Sequence, residues 1–427
     1  MKILFLAHRI PFPPDKGEKI RAFNELKFLA ARHTVDLFCL ADSAEDAAHA
    51  AALRAFCRSV CVEVRQPLKT KANMMRSFLR GEPLTNGFFF SAKLKREVEQ
   101  ALAADRYDLI FVYCSSMTQY VPRGCRVPVV VDFVDIDSGK WAQYAKVSGF
   151  PRSWLYAREA QVLGRDEQRT AAKCALSVVT TDLEARLLDP GRRYPVAVIA
   201  NGVAHAAELG GGAGSAKRLP SEIAALQPYI LFVGQMDYLP NIDAAEHFAN
   251  DIFPLVRASH PQARFLIVGR NPAPRVKALV KQEGVLVTGT VPEVQSYLLG
   301  AAVVVAPFRI AQGVQNKILE ALALDKAVVS TSRPAQAVGA RDGETLFVAD
   351  EPQEFAQRVC EILADPSLQT RFRGGRTFVR QHFDWPTNLS RMENYLIDAA
   401  RAGGPSAAAD TNSGVVAEQQ AAVNSRP

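Results

Sequence analysis

Residues 307–329 read PFRIAQGVQNKILEALALDKAVV. An apolar run, AAVVVAP (301–307), precedes the stretch, and another, AVVST (327–331), closes it. Between them a polar, glycine-containing loop (Gln312, Gly313, Gln315, Asn316) leads to Lys317 and a segment of Ile, Leu and Ala. Buried strand, polar loop, helix, buried strand is the winding of an open parallel sheet, which binds ligands beyond the carboxyl ends of its strands. A helix begun at Lys317 with Asn316 as N-cap leaves the N–H groups from Val314 to Ile318 unpaired at its first turn. Such a terminus attracts phosphate, and Lys317 adds a charge beside it. Glu320 shares a helix face with Lys317 and can accept hydrogen bonds from ribose hydroxyls. An ordinary capped helix with a Lys–Glu pair is the other reading of the same residues.

The alternation extends in both directions. Apolar runs predict strands at 2–8, 34–41, 59–64, 108–113, 127–134, 176–182 and 196–201, then at 229–237, 264–270, 285–291, 302–308, 327–332 and 345–350. Helical segments fall between them, among them 18–32 and about 152–174 in the first series and 352–364, 367–382 and 387–401 at the end. Runs this rich in Val, Ile and Leu belong to strands buried on both faces. The fold class is therefore α/β, with two Rossmann-like doubly wound domains facing a cleft. The expected division is 1–204, a Gly/Ala/Ser-rich linker at 205–228, 229–383, a helix at about 384–402 crossing back to the first domain, and a disordered tail at 403–427. The glycine cluster at 210–214 follows no strand and opens no immediate helix, so it is not a phosphate loop.

The length of 427 residues fits two domains of about 150–200 residues each. The composition (48% apolar, 22% charged) is that of a globular chain, and no apolar run approaches the ~20 residues that cross a bilayer. MKILFLAH reads as a first strand and not as a leader. Seven cysteines without paired spacing suggest a reducing, cytoplasmic setting and no zinc site. The segment from Arg65 to Arg96 carries eight basic residues against the single acid Glu82, which equals the whole net charge of +7. Met, Leu and Phe interleave with these cations. The face suits either an anionic membrane surface or a solvated basic helix with inward apolar groups. No nucleic-acid motif accompanies it.

GVQNKILEALALDKAVVST (313–331) resembles the nucleotide-sugar loop of retaining glycosyltransferases of the GT-B fold, family four. That family's motif is Glu, seven residues, Glu. Glu320 falls on the second glutamate, implied to hold the donor ribose, and Gln312 replaces the first, which contacts the donor sugar. Lys317 stands where many members have proline. The FVGQMDYLPNIDAAEHFANDIFPLV and ARFLIVGRNP stretches resemble the first two strands of the donor domain, with Gly234 in the turn near phosphate. The usual Arg…Lys-Gly after that turn is missing, so the resemblance leaves phosphate neutralisation to Arg309 and Lys317. VTGTV (287–291), with Thr290, resembles the turn that reads the base; Gly313, Val314 and Asn316 complete the donor set. PFPPDKGEKIRAFNELKF resembles the first loop and helix, where Gly17 lets the backbone approach the donor. FDW (383–385) resembles the crossing back to the first domain. DFVDIDSGKW (132–141), YAREAQVLGRDEQRTA and GVQNKILEALA resemble the exopolysaccharide sugar transferases of PEP-CTERM/exosortase systems.

On the acceptor side, Asp132, Asp135, Asp137 and Lys140 are expected at a strand end facing the cleft, where carboxylates position hydroxyls or take a proton. They read equally as caps of the next helix. Trp141 contacts substrate or belongs to the core. Arg158 and Glu159 read as a solvated helix face, and His8 as a cleft-facing residue satisfied locally. The resemblance implies transfer of a sugar from a nucleotide-diphosphate sugar to a glycan or lipid-linked acceptor, with Lys317, Arg309 and Asp135 as catalytic groups. It implies no metal or other cofactor, and a peripheral position on the inner membrane. Two alternatives stay open: a sugar-nucleotide 2-epimerase of the same fold, and a catalytically lapsed, membrane-associated scaffold.

Overall fold

The structure, a computed structural model, describes residues 1–14, 17–203, 220–311, 313–365, 367–368 and 374–403. Gln312, the glycine cluster and the tail beyond Gly403 lie outside the described residues. Every predicted strand is present, two with the expected bounds (34–41 and 59–64) and the others shorter. The first sheet comprises β1 (Lys2–Ala7), β2 (Thr34–Ala41), β3 (Ser59–Val64), β4 (Leu109–Tyr113), β5 (Val129–Val134), β6 (Leu176–Val179) and β7 (Val196–Val198). Its order is β3-β2-β1-β4-β5-β6-β7, and every pair is parallel. The second comprises β8 (Tyr229–Val233), β9 (Arg264–Val268), β10 (Val285–Gly289), β11 (Val303–Ala306), β12 (Val328–Ser330) and β13 (Phe347–Val348), in the parallel order β10-β9-β8-β11-β12-β13.

The central strands of each sheet are buried on both faces, which is why they read as largely apolar runs. In β1, Ile3, Phe5 and Ala7 pack with Ala22, Leu26 and Leu29 of helix Gly17–Ala30. Leu4 and Leu6 face the other way, onto Leu94 and Val98 of helix Ala92–Ala104. The last helix, Trp385–Ala402, begins at Asp384, whose side chain accepts from the Thr387 N–H at 2.9 Å, and ends at Gly403 with φ 64°. Its Leu389, Met392 and Leu396 complete the first sheet's core. The crossing is fixed by a hydrogen bond from Val203 N–H to Phe383 O at 2.9 Å and by Gly202, where an added Cβ would fall 2.3 Å from Trp385 Cγ. In both sheets the strand order reverses between two central neighbours, β1/β4 and β8/β11. Those two reversals set the positions of the site.

Candidate active site

At the second reversal, the loops leaving β8 and β11 open side by side. The loop after β11 is PFRIAQGVQ, and helix Asn316–Ala323 follows with Gln315 as N-cap, one residue earlier than the sequence suggested. Asn316 is thus the first helical residue, and its buried Oδ1 has no hydrogen-bond partner among the described residues. From the helix, Lys317 reaches back to the end of β8. Its Nζ donates to Asn241 Oδ1 at 2.6 Å and lies 4.9 and 4.7 Å from the ring centres of Phe232 and Phe308. A Cβ at Gly234 would sit 3.0 Å from that ammonium and 2.9 Å from the Asn241 amide nitrogen. At Gly269, a Cβ would meet Gly234 O at 1.6 Å, so the β8 and β9 ends approach as backbone only. Burial pushes the Lys317 pKa down to about 7 and lifts Glu320 to about 7, with each partly offset by the other. Glu320 receives no hydrogen bond from the described residues. Burying this pair costs free energy, which an anion at Gly234 and a hydroxyl at Glu320 would relieve.

The first reversal ends in a strained turn on the neighbouring strand. β5 slips register between Asp132 and Val134, and Val134 sits at φ 63°, a costly conformation for a β-branched residue. The bulge separates two carboxylates. Asp132 is fully buried, accepts from Arg21 Nε and Nη2 at 2.9 and 2.6 Å, and also takes the Val134 N–H at 2.7 Å. It therefore does not face the cleft, contrary to the sequence reading, but holds the turn. Arg21 continues to Ile199 O (3.0 Å) and Asn201 Oδ1 (2.9 Å), tying the turn to the end of the first unit. Past the turn, Asp135 points at the other domain, where a Cβ on Gly313 (φ 60°) would fall 2.0 Å from its Oδ1. Burial lifts Asp135 to about 6, against the pull of Lys140. No described residue donates a hydrogen bond to it. Lys140 is bonded instead to Asp137, which holds it protonated despite burial.

Other groups close the cleft. Gln143 Oε1 accepts from the Ala311 N–H at 3.0 Å, and Glu184 Oε1 from the Gly313 N–H at 3.3 Å. Tyr144 and Tyr238 share a hydrogen bond through their side chains. Sequence reasoning missed all four. Glu184 alone left a signal, the T-x-x-E capping pattern at 181–184, and Thr181 does accept from the Glu184 N–H at 3.1 Å. The carboxylate additionally reaches Ile136 N–H at 2.6 Å.

The remaining expected residues lie farther out. Arg309 is exposed and held by Asp243 through two bonds of 3.1 and 2.6 Å. Thr290 is exposed beyond β10, at the sheet's edge, and half-buried Val314 packs on the second core. Gly17 opens helix Gly17–Ala30, with nothing within 4 Å of an added Cβ. Glu159 contradicts its reading as a solvated residue. It is 1% exposed and accepts from the backbone of Leu84 and Thr85, each at 2.9 Å, while Arg158 bonds Phe78 O and Glu82 O. His8 lies flat against Tyr113, and burial with Arg9 alongside pushes it down to about 4. Trp141 lines a cavity of about 490 Å³ whose polar end holds His8, Asp135, Asp137 and Lys140. Among the described residues, no group of three or more His, Cys, Asp or Glu is arranged to hold a metal, and no helix is long and apolar enough to cross a membrane.

Comparison with known proteins agrees with this geometry. The family described as Glycosyl transferases group 1 matches residues 227–365, which include β8, Lys317 and Glu320. Residues 227–365 are a group 1 glycosyltransferase domain. Sucrose-phosphate synthase from Thermosynechococcus elongatus superposes with a TM-score of 0.68 at 17% identity, covering 94% of this chain and 100% of that one. HepE from Anabaena, solved in complex with UDP and glucose, gives 0.62 at 19% identity, covering 93% and 100%. These likenesses establish the GT-B fold for the chain. An uncharacterized 44.6 kDa protein in the cps region of Klebsiella pneumoniae is 26% identical over 186 residues, which is 39% of this chain. The match spans about half (48%) of that relative's length.

Proposed function

We propose that the protein transfers a sugar from a nucleotide-diphosphate sugar to a glycan or lipid-linked acceptor. The observation that carries this reading is the position of the Lys317 ammonium at the Gly234 turn, with Glu320 one helical turn along. The diphosphate lies at Gly234 and the helix N-terminus, neutralised by Lys317, and Glu320 accepts from the ribose. Arg309 is the second cation once it leaves Asp243. Val314, Gly313, Asn316 and Gln312 border the transferred sugar, and Thr290 the base. HepE, crystallised with UDP-glucose, supports a nucleotide-sugar donor.

Asp135 is the acceptor-side catalytic group. It lies against Gly313, unbonded, and its raised pKa suits a carboxylate that receives a hydroxyl hydrogen bond as the acceptor attacks. Asp137 and Lys140 position the acceptor, Asp132 sets the Asp135 turn, and Gly17 admits the donor to the first unit's helix. Catalysis rests on positioning and on electrostatic stabilisation of the departing diphosphate, without a metal. Retention of configuration, with a donor phosphate oxygen taking the acceptor proton, is part of the proposal. So are the exosortase-associated subgroup and a cytoplasmic place against the inner membrane. The cps-region relative supports an exopolysaccharide setting. The cavity beside Asp135 favours a second substrate over a 2-epimerase, which needs none.

The test is thermal unfolding with UDP, GDP, ADP and their sugar conjugates, on wild type and Glu320→Ala. A ligand at 100 times its dissociation constant adds about 2.7 kcal/mol. One nucleotide is expected to stabilise the wild type and not the variant. Stabilisation by none of them would sink the donor assignment, and turnover of the nucleotide sugar without acceptor would move the reading to an epimerase.

A further inference from the structure

The basic segment of the first unit folds as a roof. Helix Pro67–Leu79 crosses the short helix Leu84–Phe88 at Gly87, where an added Cβ would lie 2.7 Å from Asn73 O. Arg158 and the buried Glu159 clamp the pair to helix Arg152–Ala171. Beneath the roof is the cavity of about 490 Å³, within the ~300–1,000 Å³ typical of small-molecule sites. Its walls are Met74, Leu84, Phe88, Trp141, Leu155 and Tyr156, and its floor is the polar group around Asp135.

The floor is already paired. Arg9 is held by Glu18 at 2.6 Å and Asp42 at 3.2 Å, and Lys140 by Asp137. No described cation at the floor lacks a carboxylate, so the cavity is poorly made for a phosphate. Asp135 and the buried His8 Nδ1 are the floor groups without a hydrogen-bond partner among the described residues, and both suit a hydroxyl. The walls continue outward. Met74 and Leu155 line the cavity, and their chain neighbours Met75 and Trp154 are exposed at 59% and 56%. The Phe78 and Trp154 rings meet edge to face at 6.3 Å, joining the two helices at the rim. Leu68 and Leu79 on the roof helix, at 82% and 77%, and Phe150 just before helix Arg152–Ala171, at 86%, are also exposed. The roof helix and its end carry the exposed cations Lys69, Lys71, Arg76 and Arg80. Large apolar side chains left in solvent among cations complement an anionic lipid surface.

We propose that this cavity holds the proximal hydrocarbon segment of a lipid-linked acceptor, whose attacking hydroxyl rests on Asp135, with the roof lying on the membrane that supplies the lipid. The inference rests on the transferase reading and names the acceptor class for it. An acceptor made of sugar alone would leave the walls in contact with water. A hydrocarbon chain covers them and leads from the membrane surface to the floor.

The chain has three tryptophans, so Trp154→Phe with Trp385→Phe leaves Trp141 in the cavity wall as the only indole. This protein is titrated with octyl β-glucoside below its micelle concentration and, separately, with glucose. Trp141 emission is expected to shift saturably with octyl glucoside and not with glucose at equal concentration. Leu155→Gln, which makes one wall polar, is expected to weaken octyl glucoside binding at least tenfold while the nucleotide-induced stabilisation is unchanged. An equal response to glucose, or equal octyl glucoside binding in Leu155→Gln, overturns the proposal. No response to octyl glucoside in a protein that a nucleotide still stabilises also overturns it and leaves the donor site standing. A saturable Trp141 response in a protein that no nucleotide stabilises upholds the lipid cavity and removes the transferase reading. If Leu155→Gln unfolds, Met74→Phe, which fills the same space with an apolar group, replaces it with the same expectation.

Discussion

The two sheets reverse strand order in the same way and use the resulting crevices differently. At β8/β11 the end of β8 closes on its other neighbour, β9, as backbone, through Gly234 and Gly269, and the Lys317 ammonium from the helix after β11 lies against Gly234. At β1/β4 the strands pair to their ends, Ala7 with Tyr113, and beyond them Phe88 of the roof with Trp141 and Tyr156 of the helices after β5 surrounds a cavity. A crevice trimmed to glycine fits a group held by backbone N–H groups and one charge, such as a diphosphate. A crevice walled by Phe, Trp and Leu fits something bulky and apolar. The common architecture fixes where ligands sit, and the side chains at each reversal decide which ligand each takes.

The comparison can be broken most strongly at its supports. Asp132→Ala removes one of the two carboxylates, Asp132 and Glu25, that pair with the buried Arg21, and is expected to destabilise the protein by about 3 kcal/mol in urea unfolding. It should also release the Val134 turn. A fully active, equally stable variant would show that the bulge needs no such anchor.

Asp135→Asn tests the cleft-facing member of the same pair. Transfer is expected to fall roughly 10²–10⁴-fold with nucleotide binding intact. The Asp135 pKa is raised from 3.8 to about 6, so the folded state holds its proton more tightly than the unfolded state does. The wild type therefore loses stability as pH rises from about 4 through 6, and the asparagine variant lacks that component. Equal pH–stability curves for the two proteins would contradict the assignment.

Gly313→Ala places a Cβ against Asp135 at a residue with φ 60°. It is expected to cost about 1–3 kcal/mol and to lower turnover, as measured by melting temperature and initial rate. The smallest effect is on the roof's outer face. Trp154→Ser, which removes the edge-to-face contact with Phe78, should lower folding stability by about 0.5–1.5 kcal/mol and reduce co-sedimentation with anionic vesicles. Unchanged co-sedimentation would separate the rim from the membrane.

The thirteen strands were legible because burial on both faces leaves few polar side chains to interrupt them, Asp36 in β2 and Asp132 in β5 being buried exceptions. The loop after β11 and the helix that follows it were legible because their residues are neighbours in sequence. The rest required distant chain segments. Nothing near Lys317 indicates that Asn241 receives it, and nothing near Glu159 indicates that Leu84 and Thr85 need a cap. The DFVDID stretch misled for a local reason. The strand's two-residue alternation fails at the bulge after Asp132, so carboxylates that look equivalent in sequence point to a buried arginine and to the cleft. The helix start at Asn316, one residue early, is the ordinary imprecision of a helix end without a side-chain cap.

The central claim is that Lys317 binds the donor diphosphate as an ammonium. Burial lowers its pKa from 10.5 to about 7, so above pH 7 a diphosphate that binds the ammonium must recruit a proton. The decisive measurement is the dissociation constant of the stabilising nucleoside diphosphate from pH 7 to pH 9, by calorimetric titration of wild type and Lys317→Arg. The wild-type affinity should fall about tenfold per pH unit, with proton uptake on binding, while an arginine that still binds shows no such slope. A wild-type affinity independent of pH over that range would contradict the account.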